Sequence, residues 1–178
     1  MNGLVIYKGK YGATKQYAMW IAQEMQLPVA SADRFPVDEL PKYDYFVLGS
    51  SVYIGKLEIR GWLKKNFDVL RNKKIMFFQV AASPVEQLEK RDSYNKASLP
   101  ATILENIRFY YLPGRMIMRN LSAWDRFVLK MGARLTKDAA EKKAMLTDFD
   151  NVKKENILPI IEAMRPFKEL SEPEKELA

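Results

Sequence analysis

Gly9 and Gly12 stand three residues apart in the run Val5-Ile6-Tyr7-Lys8-Gly9-Lys10-Tyr11-Gly12-Ala13-Thr14-Lys15, among three lysines and a threonine. These residue types can cradle an anion, because glycine lets the backbone curl close, a threonine hydroxyl donates a hydrogen bond and lysine attracts. Directly afterwards Tyr17, Ala18, Ile21, Ala22 and Met25 recur at helical spacing. A helix starting near Thr14 aims its free N–H groups and positive dipole end at the loop. The expected ligand group is a phosphate held by Gly9, Lys10, Tyr11, Gly12, Ala13 and Thr14, and the competing reading is a turn and helix cap with solvated lysines. The glycines do not form G-x-G-x-x-G, and Gly9-Lys10 is followed by Tyr11 rather than Ser or Thr, so neither a dinucleotide nor a triphosphate loop is indicated. A monophosphate fits better.

A second stretch, Gly49-Ser50-Ser51-Val52-Tyr53-Ile54-Gly55-Lys56, offers hydroxyls, backbone groups near glycines and one aromatic. Tyr53 can stack on a flat heterocycle whose edge the backbone would bind, or it can be an ordinary half-buried tyrosine. Ala81-Ala82-Ser83-Pro84 forms a third candidate loop, with small side chains that leave room for a ligand.

These loops need elements that bring them together. Strand-like runs at Gly3–Tyr7, Val29–Ser31, Tyr45–Leu48, Ile75–Ala81 and Ile107–Leu112 alternate with helical patterns at Thr14–Met25, Glu58–Leu70, Asn95–Glu105 and Asp150–Met164. Tyr45–Leu48 and Ile75–Ala81 are apolar almost throughout, as in strands buried on both faces. The expected fold is therefore α/β, a doubly wound five-stranded parallel sheet whose ligand sits at the carboxyl ends of the strands. One domain over residues 1–165 is expected, with an elaboration at 113–147 after the fifth strand and a charged, frayed tail at 166–178.

Composition narrows the chemistry. The 178 residues contain no cysteine and no histidine, which removes disulfides, thiolate nucleophiles, imidazole and thiolate metal sites and the Ser-His-Asp triad. No catalytic side chain and no metal site is expected. A hydrophobic share of 48% without any apolar run of membrane-spanning length suits a globular cytoplasmic protein without a leader segment. The net charge of +7 points to anionic partners, but no nucleic-acid-binding signature accompanies it.

The motifs VIYKGKYGATKQYA, YDYFVLGSSVYIGK and AWDRFVLKM resemble those of flavodoxin-fold FMN proteins, and within them the menaquinone-dependent protoporphyrinogen oxidase group. The resemblance implies FMN as cofactor, with its phosphate on the first loop and its ring and ribityl chain held by Ser50, Ser51, Val52, Tyr53, Ile54, Gly55, Ala81, Ala82 and Ser83. It implies electron chemistry on the flavin, with oxidation of a porphyrinogen and a quinone or redox protein as acceptor. A flavodoxin-like electron-transfer protein and a basic binding module that has lost flavin are the alternatives. Lys8 and Gly9 stand where such loops begin with Ser or Thr. The third loop lacks an outer-face aromatic, with Tyr94 a weak substitute, so one face of the ring is expected to lie open to substrate. Lys8, Lys10, Lys15 and Lys56 are expected to raise the potential of the final reduction step.

Read as a helix, Asn120–Lys137 gathers Leu121, Trp124, Val128, Met131 and Leu135 on one face and Arg126, Lys130, Arg134 and Lys137 opposite, with Arg119 in phase. Such a helix packs its apolar face on the sheet and solvates its charges, or it uses Arg119, Arg126, Lys130, Arg134 and Lys137 against membrane headgroups or an anionic substrate. The second use would place the protein at the inner face of the membrane.

Overall fold

The computed structural model describes residues 1–169. In chain order the elements are β1 (Gly3–Lys8), α1 (Ala13–Met25), β2 (Val29–Ser31), β3 (Tyr45–Tyr53), β4 (Lys56–Leu57), α2 (Arg60–Leu70), β5 (Lys74–Ala81), α3 (Leu88–Lys96), α4 (Ala101–Leu104) and β6 (Ile107–Pro113). There follow β7 (Arg115–Met116), α5 (Ala123–Leu135), α6 (Ala139–Leu146), β8 (Phe149–Asp150) and α7 (Leu158–Glu169). The parallel strands run in the order β2-β1-β3-β5-β6, and β4 pairs antiparallel with the end of β3. The winding direction reverses between β1 and β3, so their following loops flank the switch point of an α/β sheet.

Alternate residues of β1 serve opposite layers, since Val5 packs with Tyr17, Ile21 and Ile160 while Leu4 and Ile6 pack with Leu63, Phe77 and Ile103. With helices on both faces, strand residues of both parities are buried, which is why the strands read as unbroken apolar runs.

Several expectations shift for identifiable reasons. Strand β3 continues to Tyr53, well beyond Leu48. Gly49, Ser50 and Ser51 are weak strand formers, but pairing holds them extended, Gly49 and Ser50 between β1 and β5 and Ser51 against β5. Ile54 and Gly55 then turn the chain into β4 with φ of 45° and 70°, the conformation of a two-residue primed hairpin turn. The helix expected at Asn95–Glu105 is only the end of α3, which starts earlier and stops at Lys96, and the short α4, which follows Pro100 in extended conformation. The last helix begins at Leu158, since the chain first forms β8 and a 3-10 turn over Lys154–Ile157. Residues 166–169 are not frayed: they continue α7, and Phe167 packs on Tyr45 with ring centroids 4.9 Å apart. The rest of the expected tail lies outside the described residues.

The elaboration is an excursion tied at its neck. Strand β7 pairs antiparallel with β8, Arg115 forms an ion pair with Asp150 at 3.3 Å, and the Asn151 N–H donates to the Gly114 carbonyl at 3.1 Å. Helix α5 is capped by the Ser122 hydroxyl, which accepts from the Asp125 N–H at 3.1 Å. Its expected packing face is only partly the real one. Leu121 is buried and Val128 half-buried, whereas Trp124 and Leu135 are exposed. The helix is turned so that Asp125, Leu129, Gly132 and Ala133 face inward with Leu121 and Val128.

Candidate functional site

At the carboxyl edge of the sheet the three loops and the inner side of α5 line a cavity of about 350 Å³, within the range of small-molecule sites. From the first loop it is lined by Lys10, Tyr11, Ala13 and Thr14, from the second by Ser51, Val52, Tyr53 and Ile54, and from the third by Ala81 and Ala82. Of the other residues singled out by sequence, Gly9 and Gly12 shape the first loop without lining the cavity, and Gly55 lies in the β3–β4 turn. Ser50 is fully buried with its hydroxyl turned away, accepting from the Ile59 N–H at 3.1 Å and donating to the Ser51 carbonyl at 2.9 Å. Ser83 does not line the cavity either, and its hydroxyl bonds that of Tyr94 at 2.9 Å.

The first loop has unfilled donor capacity. Gly12, with φ of 84°, leads into α1 and no side chain caps that helix, so its first-turn N–H groups are available. A Cβ on Gly9 would lie 2.6 Å from Thr14 Oγ1 and 3.3 Å from Ser51 Oγ; its absence lets the loop close over both hydroxyls. Those two hydroxyls are buried and have no hydrogen-bond partner among the described residues. Orphaned buried hydroxyls beside an uncapped helix N-terminus are what a phosphate would satisfy. The flanking walls of Val52, Val80, Leu121, Val128 and Leu129 suit the flat apolar body of a flavin. The residues present therefore fit a flavin mononucleotide.

Asp125 organises the mouth of the cavity. Its side chain is 6% exposed, accepts from the hydroxyls of Tyr11 and, at 2.6 Å, Tyr53, and pairs with Lys10 Nζ at 2.8 Å. The same ammonium lies 4.3 Å from the ring centroid of Tyr53, so it covers one face of the aromatic expected to stack on a heterocycle. The Asp125 carboxylate bonded to Lys10 holds that ammonium above the ordinary lysine pKa. Lys8 is likewise paired, with Asp33 at 2.6 Å. Two of the four lysines expected to raise a flavin potential are thus offset by carboxylates, which weakens that expectation.

Sequence reasoning missed Asp125. The signal was present, because Asp125 is the sole acid within Asn120–Lys137 and stands three residues after the capping Ser122. It also missed Arg91, which is fully buried beneath the third loop. Its guanidinium donates to the carbonyls of Leu112 at 3.0 Å and Ser83 at 2.5 Å, and burial pushes its pKa down to about 10. The outer side of the cavity, expected to be open for want of an aromatic on the third loop, is partly covered by α5 through Leu121, Val128 and Leu129.

Together the sheet and its cavity define a doubly wound α/β domain with its ligand cavity at the switch point. The flavodoxin domain family model matches residues 4–143, and the chain belongs to that family. Among solved structures the fold is similar to that of the WrbA-like flavodoxin from Agrobacterium tumefaciens, at 15% identity over 71% of this chain and 91% of that one, with a TM-score of 0.50. Flavodoxin 2 from Bacillus cereus shares 14% identity over 93% and 99% of the two chains with a TM-score of 0.49. Flavodoxin 1 from the same organism shares 18% over 67% and 89%, with a TM-score of 0.47. No curated protein matches the sequence. Among the described residues no helix is long and apolar enough to cross a membrane, and no acidic cluster could hold a metal ion.

Proposed function

We propose that this protein is an FMN-dependent oxidoreductase of the protoporphyrinogen oxidase type, passing electrons from a porphyrinogen to a quinone. The observation that carries the reading is the roofed cavity: α5 and the three loops line one chamber together, so a small-molecule substrate and the cofactor would share it. Bound FMN would supply the electron-accepting ring. Thr14, Ser51 and the first-turn N–H groups of α1 would hold its phosphate, while Val52, Tyr53, Ile54, Ala81 and Ala82 would flank the ring and ribityl chain. Leu121, Val128 and Leu129 would keep water from the reacting face. Asp125 is the one carboxylate lining the cavity among the described residues, and its bonds to Tyr11, Tyr53 and Lys10 would hold the mouth of the chamber around the substrate.

Electron transfer between redox proteins is the second reading, favoured by membership of the flavodoxin domain family. Titration of flavin-free protein with FMN, and with riboflavin as the phosphate-free control, tests the cofactor. Anaerobic turnover of protoporphyrinogen with a menaquinone analogue then separates the two readings. FMN binding with turnover supports the oxidase; FMN binding with reduction of redox proteins but no turnover supports the carrier. Failure to bind either flavin would leave a basic binding module without cofactor.

A further inference from the structure

Helix α5 carries two apolar faces. The inner one partly covers the cavity; the outer one consists of Trp124, Phe127, Met131 and Leu135, which recur at three and four residues and are 63%, 54%, 37% and 79% exposed. Trp124 and Phe127 lie with ring centroids 5.7 Å apart and planes tilted by 32°, forming one aromatic ledge. Single exposed apolar side chains are ordinary, but a line of four along one helix marks an interaction surface. Alongside it Arg126, Lys130 and Arg134 follow at every fourth residue, all exposed, with Arg119 and Lys137 exposed beyond the helix ends. The only acid of α5 is Asp125, which is buried against Lys10. The outward charge of this helix is therefore uniformly positive.

We infer that the outer face of α5 is a docking surface for an anionic lipid bilayer. Trp124, Phe127, Met131 and Leu135 enter the boundary between headgroups and acyl chains, and the basic row pairs with lipid phosphates. An aromatic apolar stripe bordered by Lys and Arg is the pattern of a helix lying in the membrane interface plane. Charge complementarity selects this occupant, because a second copy of the same face brings more cations and no carboxylate, whereas anionic headgroups neutralise the row. Docked this way, the protein holds its cavity one helix thickness from the lipid.

The test is flotation of the full-length protein with vesicles of phosphatidylcholine alone and of phosphatidylcholine with phosphatidylglycerol, at low and high salt. Binding to the anionic vesicles should be lost at high salt, and Trp emission should shift to the blue on binding in the parent but not in Trp124→Phe. Trp124→Ser with Phe127→Ser, and separately Lys130→Glu with Arg134→Glu, should each weaken binding about tenfold or more. These side chains are exposed, so circular dichroism and the melting temperature of the variants should match the parent. The inference is overturned by absence of flotation with anionic vesicles, by binding that the four substitutions leave unchanged, or by a dimer in analytical ultracentrifugation that Trp124→Ser with Phe127→Ser dissociates.

Discussion

Replacing Thr14 by valine should change two measurable quantities in opposite directions. Thr14 is 1% exposed and its Oγ1 has no partner among the described residues. Valine keeps the β-branch and removes the orphaned hydroxyl. An unpaired buried hydroxyl costs about 1–3 kcal/mol in proteins, so the flavin-free variant should gain about 1 kcal/mol, taking the low end because the cavity lies beside it. For the FMN complex the same change deletes a hydrogen bond to a charged group, about 1.5–3 kcal/mol, or roughly a ten- to 150-fold rise in Kd. Riboflavin, which lacks the phosphate, should bind parent and variant alike. Urea denaturation of the flavin-free protein gives the first quantity, and quenching of flavin fluorescence on titration gives the second. Lower stability of the variant would mean that Oγ1 is already satisfied, and equal FMN affinity would remove Thr14 from the phosphate site.

Three further outcomes are expected. Ile54 is a β-branched residue at φ of 45° and is 63% exposed; Ile54→Asn should relieve about 1 kcal/mol of backbone strain and raise Tm by about 2–4 °C, and a lower Tm in a thermal melt would refute the strain. Asp125→Ala leaves the hydroxyls of Tyr11 and Tyr53 without this acceptor and unpins α5. With the half-exposed Lys10 pair discounted, the loss should be about 2 kcal/mol, read from urea midpoints, and an unchanged midpoint would show that the cluster contributes nothing. Burial raises the pKa of Tyr17, Tyr110 and Tyr111, and the bond to Asp125 raises that of Lys10. For these four the folded state keeps a proton that the unfolded state releases, so their contribution to stability should be lost as pH climbs past about 10, while Arg91, lowered to about 10 by burial, acts in the opposite sense. The Tyr17 part is isolated by comparing urea midpoints of the parent and Tyr17→Phe from pH 8 to 11, and a difference between them that does not change with pH would contradict this.

The sheet was legible wherever burial on both faces produced apolar runs, as in Ile75–Ala81. Helix α3 was not, because the residues it buries are Arg91 and Asn95, and apolar periodicity has no purchase on a polar buried face. The three loops were legible as candidates because chain order and the switch-point rule bring them to one edge. The direction of the Ser50 hydroxyl was not, since it depends on the backbone of Ile59, nine residues away. Helix α5 shows a different limit. Its sequence holds two overlapping apolar stripes, and periodicity gives the spacing of a stripe without saying which one meets the core. What fixes the phase is Asp125, through partners on Tyr11 and Tyr53 that lie 114 and 72 residues away in sequence.

The neck formed by β7 and β8 makes the roof of the cavity a cassette. Both ends of the segment between them leave the body at one point, held by the Arg115–Asp150 pair and the bond from Asn151 to Gly114. Exchanging that segment for another of different length alters loop-closure entropy only slowly and leaves the strand order beneath it unchanged. The parts thus divide the labour of inheritance: the sheet and its first loop can keep one ligand while the roof, and with it the shape of the chamber and the outward face, varies on its own.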